Sequence, residues 1–192
     1  EYQFGFRANY STTLAVSEIV DDIRYQLDKG NSVLGIYLDL TKAFDTVNHE
    51  ILLEKLAYYG IRGQANSWFK NYLSNRMQCT FVNNQLSDPA KSGVGVPQGS
   101  VLGPILFLIY INDISKCMKD AKTRLFADDT NIFIAGNDLG YIKTIGNQAL
   151  MRLQEWFSAN KLSLNIEKTC YSVFSNLRHR PNVILSLNGS QI

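Results

Sequence analysis

With 192 residues, 45% hydrophobic and 19% charged, the chain has the makeup of a folded domain with one good-sized core or two small ones, which excludes a disordered tail. Its net charge of +2, from 19 basic and 17 acidic residues, neither requires nor excludes nucleic acid, because a basic groove can sit within a near-neutral total. Cys79, Cys117 and Cys170 are odd in number and far apart, which argues against a disulfide framework or a zinc site and suits a reducing compartment.

Tyr2–Asn9 reads as a loop or short extended segment. Ser11 or Thr12 can cap a helix running to about Leu27 and ended by Gly30, with Leu14, Ile19, Ile23 and Leu27 on its apolar face and Glu18, Asp21 and Arg24 outside. The apolar run Val33–Leu38 predicts a buried central strand ending in a carboxylate, Asp39, before Thr41–Asp45 turns the chain. Asn48 can cap a second helix carrying Ile51, Leu52, Lys55, Leu56 and Tyr59 at helical spacing, stopped by Gly60. Gln64–Leu73 forms a third, short helix presenting Trp68, Phe69 and Tyr72, and Arg76–Asn83 alternates as a strand with Lys91–Val96 as its antiparallel partner. Val96–Ser100 is a loop leading, with Ser100 as cap, into a strongly apolar helix from Val101 to about Lys116. Gly103 and Pro104 fall in its first turn, where proline is tolerated. The longest apolar run, Val101–Ile111, is too short to span a bilayer, and no signal peptide is visible.

Thr123–Phe126 and Asn131–Ala135 read as strands joined by a tight turn over Ala127–Thr130. A long helix follows, about Leu139–Asn160, with Ile142, Ile145, Ala149, Leu153, Trp156 and Phe157 inward, then short strands at Leu162–Asn165 and Cys170–Phe174. Val183–Leu187 precedes Asn188-Gly189, a strong hairpin signal. Interleaved helices and hairpins favour an α+β fold over a parallel sheet. The chain opens inside dense sequence and closes as a second hairpin strand begins, so it reads as a piece of a longer protein, truncated at both ends.

Two carboxylate sites invite chemistry. An isolated Ala127-Asp128-Asp129 is first of all a turn, since Asp is poor inside a strand and at home in turns. The upstream strand ending at Asp39 adds a second acidic strand end, and a buried, unpaired carboxylate is costly. A cation shared with Asp128 or Asp129 would compensate Asp39. Carboxylate oxygens suit magnesium, and two such ions about 4 Å apart clamp both oxygens of an in-line phosphoryl displacement.

Five blocks in order carry a resemblance to a family. They are Gln3-Phe4-Gly5-Phe6-Arg7 with Ser11–Ala15; Tyr37–Val47; Gly95–Pro104; Phe126-Ala127-Asp128-Asp129; and Leu162-Ser163-Leu164-Asn165 with Lys168-Thr169. Together they closely resemble the reverse transcriptase domain of non-LTR, LINE-like retrotransposons, from Gln3 to Phe174. The resemblance implies an α+β right-hand polymerase palm, an antiparallel sheet backed by helices, plus part of the fingers. It implies an RNA-directed DNA polymerase that adds deoxynucleotides to a DNA primer on an RNA template, inside the host cell in nucleus and cytoplasm, with no membrane partner. Its cofactor is two magnesium ions, with manganese as the alternative.

By the same resemblance, Asp39 and Asp128 ligate both ions, Asp129 is a further ligand at the primer end, and the Leu40 carbonyl lies near the nucleotide-side ion. Phe44 matches the aromatic gate under the nucleotide sugar, against its reading as a plain core aromatic. Gln98 and Gly99 match the loop against the nucleotide and template base, and also serve as a helix-entry turn. Gln3, Gly5 and Arg7 match the template-binding block, with a surface arginine the competing account of Arg7. Lys168 matches a lysine that protonates departing pyrophosphate, with a surface lysine after a turn as the alternative. Asp45 and Asp113 read as structural, a helix-side cap and a helix end, and His49 and His179 have no partner at zinc-ligand spacing. The family's basic finger hairpin, thumb and endonuclease are not matched in these residues, so these residues by themselves are expected to extend a primer weakly or not at all. Two other functions share this palm: an inactive nucleic-acid-binding remnant and an RNA-directed RNA polymerase.

Overall fold

The computed structural model describes residues 2–118, 120–177, 183–187 and 189–191. In chain order its elements are α1 (Thr12–Asp28), β1 (Ser32–Leu38), α2 (His49–Tyr58), α3 (Gly63–Leu73), β2 (Arg76–Gln78), β3 (Phe81–Val82), β4 (Gln85–Leu86), β5 (Ala90–Ser92) and α4 (Leu102–Ile111). A 3-10 helix over Asn112–Cys117 follows, then β6 (Lys122–Phe126), β7 (Asp129–Gly136), α5 (Leu139–Ala159), β8 (Cys170–Phe174), β9 (Ser186–Leu187) and β10 (Ser190–Gln191). They form two compact units, Glu1–Thr41 with Ile111–Ile192, and Lys42–Tyr110. Among the described residues no helix is long and apolar enough to cross a membrane.

The first unit is built on a four-stranded antiparallel sheet in the order β6-β7-β1-β8. Strand side chains alternate between faces, and both faces of β1 are covered. On one, Val33 and Phe133 pack with Ile23 of α1, edged by Ile19, Leu27, Tyr37 and Phe174. On the other, Leu34, Ile36, Leu38, Ile132 and Ile134 are buried and α5 packs across β1 and β7. That double cover is why the strand reads as an uninterrupted apolar run. Leu34 is fully buried, so Leu34→Ala is expected to cost about 2–5 kcal/mol of stability. Urea unfolding checks this, and a loss below about 1 kcal/mol would mean that the sheet is not the core.

Helix α1 starts where Ser11 Oγ accepts the Leu14 N–H at 3.1 Å. Ile19, Ile23 and Leu27 face inward as expected, but Leu14 is 39% exposed and Ala15 is the buried residue of the first turn. Arg124 of β6 reaches Glu18 at 3.4 Å and Asp22 at 3.2 Å, and Lys122 meets Asp22 at 2.6 Å. Each such solvent-facing pair adds little; packing holds the helix. The expected strand Leu162–Asn165 reduces to one bridge between Leu164 and Leu40. The expected strand Val183–Leu187 is only Ser186–Leu187, paired with Ser190–Gln191. Asn188 of its turn signal, and His179, lie outside the described residues.

In the second unit Asn48 Oδ1 accepts the Ile51 N–H at 3.1 Å to start α2, and Leu52, Leu56 and Leu73 are buried. The expected strand Arg76–Asn83 breaks after Gln78. Its first part pairs with β5 in the register Arg76↔Ser92, while β3 and β4 form a hairpin of their own. The cause is Asn83-Asn84, both at positive φ (49° and 61°), the geometry of a two-residue hairpin turn that Asn tolerates. The partner strand accordingly ends at Ser92 rather than Val96. Ser100 Oγ accepts the Gly103 N–H at 2.9 Å at the start of α4, and the helix tightens to 3-10 after Ile111.

Candidate active site

Phe126 pairs with Asp129, so only Ala127 and Asp128 lie between the strands. The turn is tighter than the four residues expected, and Asp129 and Thr130 are ladder residues of β7. Ala127 sits at φ +56° and Asp128 does not share that sign. A positive first φ is normally met by glycine, and holding another residue there costs about 1–3 kcal/mol unless its surroundings fix it. Those surroundings are the first residues of the chain. Gln3 Oε1 accepts the N–H of Ala127 at 3.0 Å and that of Gly5 at 2.7 Å, and Gln3 Nε2 donates to the Ala127 carbonyl at 3.4 Å. The Phe4 N–H bonds the Leu125 carbonyl, and the Leu125 N–H bonds the Tyr2 carbonyl, both at 2.8 Å. A Cβ on Gly5 would lie 2.4 Å from the Ala127 nitrogen, so this close approach needs glycine.

Asp39 follows the last residue of β1. Leu38 pairs with Thr130, and one more step of that register sets Asp39 against Asp129. The Asp39 carbonyl accepts the Asn165 N–H at 2.9 Å, and the Thr41 N–H bonds the Ser163 carbonyl at 2.9 Å, so the segment carrying buried Leu40 is fixed from behind. Lys168 Nζ stands 3.9 Å from Asp39 Oδ2, its own side chain 70% exposed. Arg7 is turned back on its own loop: it donates to the Gln3 carbonyl at 3.0 Å and lies over the Tyr10 ring at 4.1 Å.

Partial burial, and then repulsion from Asp128 and Asp39, hold the Asp129 carboxyl above the ordinary carboxylate range. Among the described residues no three His, Cys, Asp or Glu side chains are gathered closely enough to hold a metal ion. The carboxylates are neighbours by register rather than a closed cage. Their donor chemistry still fits a hard cation: all ligands are oxygen, they repel one another, and a cation would relieve that repulsion.

A pH prediction follows. With its folded pKa above the unfolded value near 3.9, Asp129 binds its proton more tightly in the folded state. Its contribution is full below the unfolded value and is lost as pH rises through the raised pKa. In chelator, Asp129→Asn should therefore melt above wild type at neutral pH. The difference should close as pH falls through the raised pKa. Equal melting temperatures across that window would remove the repulsion.

The second unit holds Phe44, Gln98 and Gly99. The half-buried Phe44 ring stacks on Phe107, centroids 4.4 Å apart at 27°, and its carbonyl accepts the Val96 N–H at 2.8 Å. Gln98 Nε2 donates to Asp45 Oδ1 at 2.7 Å, and Gly99 has φ +75°. Asp45 is thus not a helix cap, a place taken by Asn48; its carboxylate holds the glutamine. His49 Nε2 lies 2.8 Å from the Gly95 carbonyl. Lys42, Asp45, Arg76, Lys91 and Gln98 are among the residues lining a cavity of about 570 Å³. Sequence reasoning missed the contacts of Gln3 with Ala127 and of Asp45 with Gln98, and the cations Arg76 and Lys91. Nothing in periodicity or spacing announces them.

Over residues 1–183 the chain matches the family model described as reverse transcriptase (RNA-dependent DNA polymerase). It is 30% identical over 188 residues to a probable RNA-directed DNA polymerase from transposon BS of Drosophila melanogaster, covering 91% of this chain and 20% of that protein. It is 28% identical over 200 residues to the RNA-directed DNA polymerase from mobile element jockey of the same fly, covering 100% of this chain and 22% of the relative. The chain thus spans about a fifth of the length of the curated relatives it matches. Among solved structures, apo telomerase from Candida tropicalis superposes with a TM-score of 0.64 at 15% identity, covering 100% of this chain and 36% of that one. At that identity the likeness concerns the fold.

Proposed function

Because this chain belongs to the reverse transcriptase (RNA-dependent DNA polymerase) family, we propose that it carries the nucleotidyl-transfer site of an RNA-directed DNA polymerase of non-LTR retrotransposon type. The reaction joins a primer 3′-hydroxyl to the α-phosphate of a deoxynucleotide and releases pyrophosphate. The observation that carries this reading is the meeting of two acidic strand ends, Asp39 after β1 against Asp128 and Asp129 at the β6–β7 turn, in an antiparallel register. Repulsion among these carboxylates, felt at Asp129, supports a role as ligands of divalent cations.

Asp39, Asp128 and Asp129, with the Leu40 carbonyl, would hold magnesium or manganese, two ions in all. When bound, these supply charge neutralisation on the phosphates and a lowered pKa for the attacking hydroxyl. The chain's own residues do the positioning. Lys168, at 3.9 Å from Asp39, carries a proton that departing pyrophosphate can take. Phe44 limits the sugar to one without a 2′-hydroxyl. Gln98, its amide oriented by Asp45, and Gly99 sit against nucleotide and template base. Lys42, Arg76 and Lys91 line a cavity of the second unit and suit a triphosphate. Gly5 and Arg7 belong to the block that meets the template, and Gln3 of the same block holds the β6–β7 turn.

The partners of this reading are an RNA template, a DNA primer and deoxynucleotides, inside the host cell in nucleus and cytoplasm. The names of the transposon relatives, RNA-directed DNA polymerases, support it. The test is primer extension by the full chain on RNA and DNA templates, with deoxy- and ribonucleotides, in magnesium and in chelator. Magnesium-dependent deoxynucleotide addition on RNA is expected, at a low rate from these residues alone. Preference for ribonucleotides would make it an RNA-directed RNA polymerase, and binding without extension an inactive remnant.

A further inference from the structure

We propose that Gln3 is a positioning residue for Asp128: its side-chain amide grips the backbone of Ala127 and fixes the turn that carries this carboxylate. The proposal rests on the reading of Asp128 as a site ligand. Three contacts make the grip, two accepted by Gln3 Oε1, from Ala127 at 3.0 Å and Gly5 at 2.7 Å, and one donated to the Ala127 carbonyl at 3.4 Å. The amide thus offers Ala127 an acceptor and a donor, as an adjacent strand would, at the point where the β6–β7 ladder stops.

The grip has a reason in the turn. Ala127 is held at φ +56°, where a side chain is disfavoured and glycine would be usual. Glycine there would leave Asp128 free to swing. Alanine under an external clamp restricts it, and site geometry tolerates little looseness. The clamp is itself anchored. Main-chain bonds at 2.8 Å join Phe4 and Tyr2 to Leu125, Arg7 donates to the Gln3 carbonyl at 3.0 Å, and Phe4 is buried at 2% exposure. Gly5 completes it, because any Cβ there would meet the Ala127 nitrogen at 2.4 Å. An amide so committed acts through Asp128, whereas a template contact would have to break these bonds.

The test has two arms on the full chain, with Gln3→Leu, which removes the amide, and Gln3→Glu, which keeps the acceptor oxygen. The first arm reads hydrogen exchange at the Ala127 amide in chelator. Gln3→Leu should speed it by about tenfold or more while amides at the centre of β1 and β7 stay as in wild type. Gln3→Glu should stay close to wild type. The second arm reads primer extension. Gln3→Leu should lower kcat by roughly 10²-fold, leave KM for template-primer nearly unchanged and raise the magnesium needed for half-maximal rate, with partial rescue in Gln3→Glu. Unchanged exchange at Ala127 in Gln3→Leu overturns the proposal, as does a raised KM with intact kcat, the mark of a direct template contact. Should Gln3→Leu not fold, wild type decides: an Ala127 amide exchanging as freely as an exposed loop amide overturns the clamp, and a protected one supports it. A wild-type protein that extends no primer defeats the polymerase reading, while the exchange arm still judges the clamp.

Discussion

Asp39→Asn should lower primer extension on an RNA template by about 10³-fold or more, which is roughly 4 kcal/mol of barrier. The substitution keeps shape and removes charge, so the effect separates chemistry from folding. The backbone bonds that hold the segment, from Asn165 to the Asp39 carbonyl and from Thr41 to the Ser163 carbonyl, do not involve the carboxylate. Losing one of the mutually repelling acids also removes repulsion on Asp129, so the variant should be no less stable than wild type without metal. Asp138→Asn is the control. Asp138 caps α5 by accepting from Gly140 and Tyr141, asparagine caps as well, and its activity should not change. Single-nucleotide addition rates decide the matter; Asp39→Asn within about tenfold of wild type, or about 1.4 kcal/mol, would take Asp39 out of the site.

Phe44→Ala should act on two quantities that can be read apart. The ring stacks on Phe107 at 4.4 Å, so its removal should cost about 2 kcal/mol of stability, less than the 3–5 typical of a fully buried phenylalanine. Under the proposed role it also removes a steric barrier to the 2′-hydroxyl. A pocket lacking that barrier should accept ribonucleotides more readily, and discrimination by kcat/KM should drop by about 10–200-fold. The Phe44 carbonyl bond to Val96 is main chain and survives. A drop in melting temperature with unchanged sugar selectivity would make Phe44 a core ring and nothing more.

What was readable in the sequence was local. Ser11, Asn48 and Ser100 announced their helices because caps are short-range chemistry. The β1 run announced a strand covered on both faces, and the Asp-Asp hairpin announced a turn between strands. The misses are contacts that close over long stretches of chain. No periodicity shows that the Gln3 amide meets Ala127, or that Asp45 turns from helix cap to partner of Gln98. The β3–β4 hairpin was legible in principle, since Asn83-Asn84 is a turn pair, but the alternation of Arg76–Asn83 ran across it. Leu162–Asn165 has strand-like residues and too few partners to become a strand, because only Leu164 reaches Leu40.

The central place of β1 has a kinetic consequence. Its Leu34 pairs with Ile134 on one side and Val173 on the other, both far downstream. During synthesis β1 emerges early and must wait, its apolar surface uncovered, until β7 and then β8 leave the ribosome. The β6–β7 hairpin is local in sequence and can form within about 1–10 μs, its turn then taking the Gln3 clamp. Docking β1 onto it closes a long loop and belongs to the slow regime of non-local pairing, about milliseconds to seconds. The waiting strand is the aggregation hazard of this chain, so expression yield should respond more to apolar substitutions in Ser32–Leu38 than to those in the hairpin.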